Sequence, residues 1–187
     1  HVLIGKERHD IGRPHDWGYP IRGIVKGDYL YLRNFEPNRW PAGNPETGYL
    51  NTDGSPTKTV VLDARMYEDL PEYWEWNMGK RPPEELYNIA RDPGCMENLA
   101  ADPQYAEQAT ALADQMTREL EAQNDPRIQG NGEVFDQYLY ADTNNQNFYE
   151  RHTEGQDLPT RWVNDSDFEP NFPERDPVYN RNQISED

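Results

Sequence analysis

The sequence predicts a small, loop-rich α+β fold, and three observations lead to it. Two strand-like runs, 19–25 and 29–34, are separated by Lys26-Gly27-Asp28, where glycine permits the tight reversal of a hairpin. One clear amphipathic helix follows Asp102. Hydrophobic residues make up only 34% of the 187, against about 45–50% in an average globular chain. Pro (16) and Tyr (12) are plentiful, so irregular segments must be long.

Val2 to Ile4 is a β-branched, apolar run suited to a buried strand, and it leads into the charged stretch Lys6-Glu7-Arg8-His9-Asp10. In the second hairpin strand Tyr29, Tyr31 and Arg33 alternate with Leu30, Leu32 and Asn34, the period-2 pattern of a half-buried strand. Residues 36–59 hold four prolines and three glycines, too many for the interior of a regular element; a long ordered loop or lid is expected. The segment 60–79 is apolar without clear periodicity, with one short helix expected near Ala64 to Leu70.

Glu84 to Ile89 reads as a strand closed by the turn signal Asp92-Pro93-Gly94. Asp102 is a plausible N-cap, and Pro103 suits the first helical position because its missing N–H costs nothing there. Tyr105, Ala109, Leu112, Ala113, Met116 and Leu120 recur on one face, and the helix should end near Asn124, before Asp125-Pro126. Beyond it the chain turns polar yet keeps aromatic residues from Phe135 to Tyr179, which suggests an extension wrapped over a surface. The expected division is 1–124 and a loop-rich, acidic, aromatic extension 125–187.

The formal net charge of -17 argues against binding a nucleic-acid backbone, which requires a Lys/Arg-rich surface, and against an anionic membrane surface. No apolar run is long enough for a membrane-spanning helix. The single cysteine, Cys95, leaves no intrachain disulfide and no Cys-rich metal site. The opening His1-Val2-Leu3-Ile4-Gly5 reads as a start within a strand, so a fragment or trimmed product is expected.

Several motifs resemble one family. Glu85-Leu86-Tyr87-Asn88-Ile89-Ala90-Arg91-Asp92-Pro93, followed by Asn98-Leu99-Ala100 and Asp102-Pro103, resembles the signature of sulfatase C-terminal subdomains. Gly5-Lys6-Glu7-Arg8-His9, Tyr19-Pro20-Ile21-Arg22, Tyr29-Leu30-Tyr31 and Asn34-Phe35-Glu36-Pro37-Asn38-Arg39-Trp40-Pro41 are similar to the corresponding region of sulfamidase-like (heparan N-sulfatase) enzymes. Asp125-Pro126-Arg127 with Gly130, Gly132 and Phe135 extends the likeness, which covers most of residues 1–140.

The resemblance implies the smaller subdomain of an alkaline-phosphatase-like sulfatase: a small antiparallel sheet with one packed long helix, plus the irregular extension. It implies a preceding catalytic domain as partner, carrying calcium and a formylglycine made from the Cys or Ser of a Cys/Ser-x-Pro-x-Arg motif, with a sulfated carbohydrate as substrate. Cys95 is followed by Met96-Glu97-Asn98-Leu99 and lacks that context. No catalytic or metal-ligating residue is therefore expected in this chain, which by itself should not hydrolyse sulfate. The resemblance also implies an exported or lysosomal protein, and the acidic, cysteine-poor composition favours an exported one, periplasmic or extracellular.

Substrate-binding candidates are His9, Arg22, Arg8, Lys6 and Arg13. In the family a histidine near the loop of His9 lies close to substrate, and imidazole can hydrogen-bond a sulfate oxygen or a hydroxyl. Arg22 follows a proline that fixes its approach, and guanidinium suits bidentate contact with sulfate or carboxylate; an intradomain salt bridge is the competing role. Lys6, Arg8 and Arg13 would add a local positive patch, or simply a solvated charged face. Arg39 and Trp40 could form a sugar-stacking and anion-binding pair, or a packing anchor. The alternatives to the sulfatase reading are a freestanding acidic module binding carbohydrate or protein, and a phosphate-ester hydrolase of the same superfamily.

Overall fold

The computed structural model describes residues 1–67 and 70–172. The fold is mixed α and β: a four-stranded antiparallel sheet with helices and several short 3-10 turns. The chain forms two compact units, each assembled from three separate stretches. The first comprises 1–9, 18–38 and 81–139; the second comprises 10–17, 39–80 and the chain from 140 onward.

The first unit holds the sheet. Its strands β1 (Val2–Lys6), β2 (Ile21–Lys26), β3 (Tyr29–Asn34) and β4 (Glu84–Asn88) lie in the order β1-β2-β3-β4. The register aligns Leu3 with Ile24, Ile24 with Tyr31 and Tyr31 with Leu86. One row of apolar side chains therefore crosses all four strands on one face, as the two-residue period of the pleat requires. The long helix α3 (Ala106–Ala122) covers that row with Leu112, Met116 and Leu120, and Tyr29, Tyr105, Ala109 and Ala113 pack at its margin. The α3 stripe is the one its sequence periodicity predicts. Asp102 accepts a hydrogen bond from the Gln104 N–H at 2.8 Å, and Pro103 opens a 3-10 turn, 103–105, ahead of the α-helix.

β1 departs from expectation. The run Val2–Ile4, read as a buried strand, lies at the sheet edge with Val2 60% and Ile4 40% exposed. Only Leu3 reaches the core, because alternate residues of a strand face opposite sides and no helix of this unit packs on the other face among the described residues.

The second unit contains α1 (Pro56–Ala64), α2 (Pro71–Met78) and the short α4 (Phe148–Thr153). The helix expected over 64–70 is replaced by α1 and α2 on either side of that stretch, of which residues 68 and 69 lie outside the described set. Two prolines explain the difference. Pro56 and Pro71 each occupy a first-turn position, and the Ser55 hydroxyl accepts the Lys58 N–H at 3.1 Å, a capping arrangement that starts a helix rather than breaking one.

Two cores stabilise this unit. Ala42, Tyr49, Leu62, Trp74 and Met78 form one, joined by Trp40 and Phe172. Ile11, Leu50 and Phe148 form the other, joined by Tyr140, Leu158 and Trp162. Tyr140, Phe148, Trp162 and Phe172 thus pack in or against these cores; Tyr179 of the predicted extension lies outside the described residues.

Candidate functional site

The segment that leaves β1 carries three of the predicted site residues. Lys6 and His9 are exposed and Arg8 is half-buried. The Lys6 ammonium lies 5.9 Å from the Tyr19 ring centroid. Arg8 donates from Nη2 to the carbonyls of Tyr138 and Leu139 at 3.0 and 3.2 Å. Gly18 fits this segment for a steric reason: a Cβ there would overlap the Glu7 carbonyl, so the chain at 18 can approach only as glycine.

Directly behind this loop is a buried charge network. The Glu7 carboxylate accepts Arg22 Nη2 at 2.6 Å through one oxygen, and Arg127 Nη2 and Nε at 3.0 and 3.1 Å through the other. Arg22 also donates from Nε to Asp125 at 2.8 Å and from Nη1 to the carbonyls of Ile21 and Lys6 at 2.9 and 3.2 Å. The second oxygen of Asp125 accepts the backbone N–H of Arg127 and of Ile128. Both guanidinium carbons stand about 6 Å from the Phe135 ring centroid, at 5.9 and 5.6 Å, within cation–π range. A Cβ at Gly132 would overlap the Arg127 side chain.

Arg22, predicted to meet substrate, is thus buried and engaged with partners inside its own unit. Arg13 belongs to the second unit, where it is 1% exposed. Its guanidinium donates to the carbonyls of Trp40 and Pro41 at 2.7 and 2.8 Å and pins the proline-rich loop. Arg39 lies over the Trp17 ring at 4.6 Å, and Trp40 packs edge-on against Trp74 and Phe172.

The residues 85–100 have structural duties. Glu85 is buried and accepts the Asn34 side-chain amide at 2.7 Å and the Tyr87 hydroxyl. Asn98 Oδ1 accepts the Leu86 N–H at 2.9 Å, and Leu99 donates to the Leu86 carbonyl at 2.8 Å, so 98–99 cover the outer edge of β4. Asp92 accepts the N–H groups of Met96 and Glu97. Cys95 sits in this turn at φ 52°; burial, then the charges of Asp92 and Glu85, push its thiol above its ordinary pKa. A nucleophilic cysteine needs the opposite shift.

Among the described residues, no group of three or more His, Cys, Asp or Glu side chains is placed to hold a metal ion. Sequence reasoning missed Arg127 and the buried pair Lys58–Asp167, whose partners are 120 and 109 positions apart. No local signal announces a pair at that separation. No family model matches the chain, and no curated protein sequence matches it.

Proposed function

We propose that this chain is the C-terminal portion of a sulfatase resembling the sulfamidase-like enzymes, acting on a sulfated carbohydrate, and that it completes the substrate pocket beside a preceding catalytic domain. The observation that carries the reading is the convergence of its motif pieces. Glu7, Arg22, Asp125, Arg127, Gly132 and Phe135 come from three separated motifs and meet in one buried network. The small antiparallel sheet with α3 across one face is the arrangement the resemblance implies for this subdomain. The exposed apolar side chains of β1 also support a covering partner domain, since edge strands left open invite pairing.

In this reading Lys6, Arg8 and His9 present cationic and hydrogen-bonding groups to the anionic sugar. Arg22 holds their loop from behind through Glu7, and Arg13 holds residues 40–51. In the same reading, calcium and formylglycine belong to the preceding domain.

The test begins with the coding DNA upstream of His1. An in-frame Cys/Ser-x-Pro-x-Arg motif should precede this segment, and the whole protein should release sulfate from sulfated glycosaminoglycan oligosaccharides. His9→Ala should then raise KM or lower kcat by roughly tenfold or more without altering thermal stability. An upstream region without that motif would move the freestanding acidic binding module to first place. Release of phosphate in preference to sulfate would favour the phosphate-ester hydrolase.

A further inference from the structure

Within the second unit, α1 and the start of α2 border an open cleft of about 450 Å³, inside the range of roughly 300–1,000 Å³ typical of small-molecule sites. Val60, Val61 and Ala64 supply its apolar floor, and Tyr67 and Tyr73 add two aromatic rings. Trp76 extends the aromatic surface, edge-on to Tyr73 at 5.4 Å. Val60, Tyr73 and Trp76 are all exposed, an uncommon grouping in a chain this hydrophilic.

Among the described residues, Asp63 is the only charged side chain in the wall. It is exposed, and among the described residues its carboxylate has no hydrogen bond or ion pair, unlike Glu169, which Arg65 engages nearby. A bare apolar cleft would accept any hydrophobe. Aromatic faces together with one uncompensated carboxylate select for positive charge: the ring quadrupoles attract a cation, the carboxylate adds a direct Coulomb term, and the net charge of -17 enriches cations near the surface. An ammonium with alkyl substituents satisfies both parts, because its charge is spread over methyl or methylene groups that also pack on an apolar wall.

We propose that this cleft is a binding site for a hydrophobic organic ammonium ion. Its apolar part lies on Val60, Val61 and Ala64, and its charged head lies between the tyrosine rings and the Asp63 carboxylate. The inference is independent of the sulfatase reading, because it involves none of the residues assigned to the sugar.

The experiment compares choline with 3,3-dimethyl-1-butanol, which has the same shape but a carbon in place of the charged nitrogen, by amide chemical-shift mapping on the full chain. Choline should bind at least about tenfold more tightly than the alcohol, with shifts centred on 60–67 and 73–76. Asp63→Asn, a change of one atom at an exposed position, should bring the choline affinity down to within about threefold of the alcohol. Tyr73→Leu should keep the fold and reduce the choline preference, whereas Tyr73→Phe should retain it. Equal affinity for the two probes, an Asp63→Asn variant that binds choline as well as the parent, or shifts located elsewhere would each overturn the proposal.

Discussion

Lys58 Nζ lies 3.0 Å from Asp167 Oδ2, with the two side chains 1% and 0% exposed. The ammonium also donates to the carbonyls of Gly48 and Thr52 at 2.9 and 2.7 Å, and Asp167 Oδ2 accepts the Asn164 N–H at 3.0 Å. A buried pair of this kind contributes little compared with an apolar substitute, but removing one member leaves an uncompensated charge.

Lys58→Met and Asp167→Asn should therefore each destabilise the protein by about 3–5 kcal/mol, while the double substitution should cost clearly less than their sum. Urea unfolding of the four proteins gives the coupling energy. Additive losses would mean that the charges do not act as a pair. Burial also lowers the Lys58 pKa, opposed by Asp167. The folded state then holds fewer protons than the unfolded chain in the window just below the ordinary lysine value, so this group's contribution grows more favourable as pH rises through it.

Tyr149 has the opposite sign. Burial, then its 2.8 Å hydrogen bond to Glu46 and the charge of that carboxylate, push its phenol up to about 12. The folded protein keeps the proton where the unfolded chain loses it, so the contribution is fully present below the ordinary tyrosine value of 10.0 and is lost as pH rises toward about 12. Tyr149→Phe should flatten the fall in stability over that interval. Phenolate absorbance should show one late-titrating tyrosine fewer in the variant; an unchanged titration curve would contradict the assignment.

Arg22→Met should lose about 3–5 kcal/mol, since Glu7 and Asp125 would both be left under-compensated in a buried setting. Arg22→Lys should recover only a minor part, because one ammonium cannot replace a planar fork that reaches two carboxylates and two carbonyls. Thermal unfolding measures both. Full stability in Arg22→Lys would show that charge alone, without the fork geometry, is sufficient.

Met116→Ala should cost about 2–5 kcal/mol through lost burial and the cavity left against the row Leu3–Ile24–Tyr31–Leu86. Val60→Ala, at an exposed position on α1, should change stability by no more than about 0.5 kcal/mol. A comparable loss in both would deny α3 its place as the principal cover of the sheet.

Local chemistry made part of this fold legible. The Lys26-Gly27-Asp28 reversal, the strand at 84–88 and the α3 stripe each announce themselves within a window of a few residues. The start of α1 is hidden because Pro56 falls within the proline-rich stretch 36–59, although at a first helical turn proline is favourable. β1 was misjudged because an apolar run reports that a strand is preferred, not how many of its faces are covered.

The candidate site was legible as a set of residue types but not as roles. Arg22 carries the fork needed for an anion, and the anions it meets are Glu7 and Asp125 of its own unit. Nothing near residue 22 in sequence identifies a partner at 125. His9 and Lys6, by contrast, stand on the exposed segment that their charge pattern suggested.

The interleaving of the two units bears on how the chain comes into being. Each unit draws on three separated stretches of the chain, so neither can close before its last stretch has been made. On a ribosome Lys58 emerges about a hundred residues ahead of Asp167, a wait of roughly 5–20 seconds at about 5–20 residues per second. During that interval α1 must leave its lysine hydrated, and Trp74 has yet to meet Phe172. A pause in translation after residue 140 would prolong that unfinished state, whereas release of residues through 172 would allow the second unit to complete its cores.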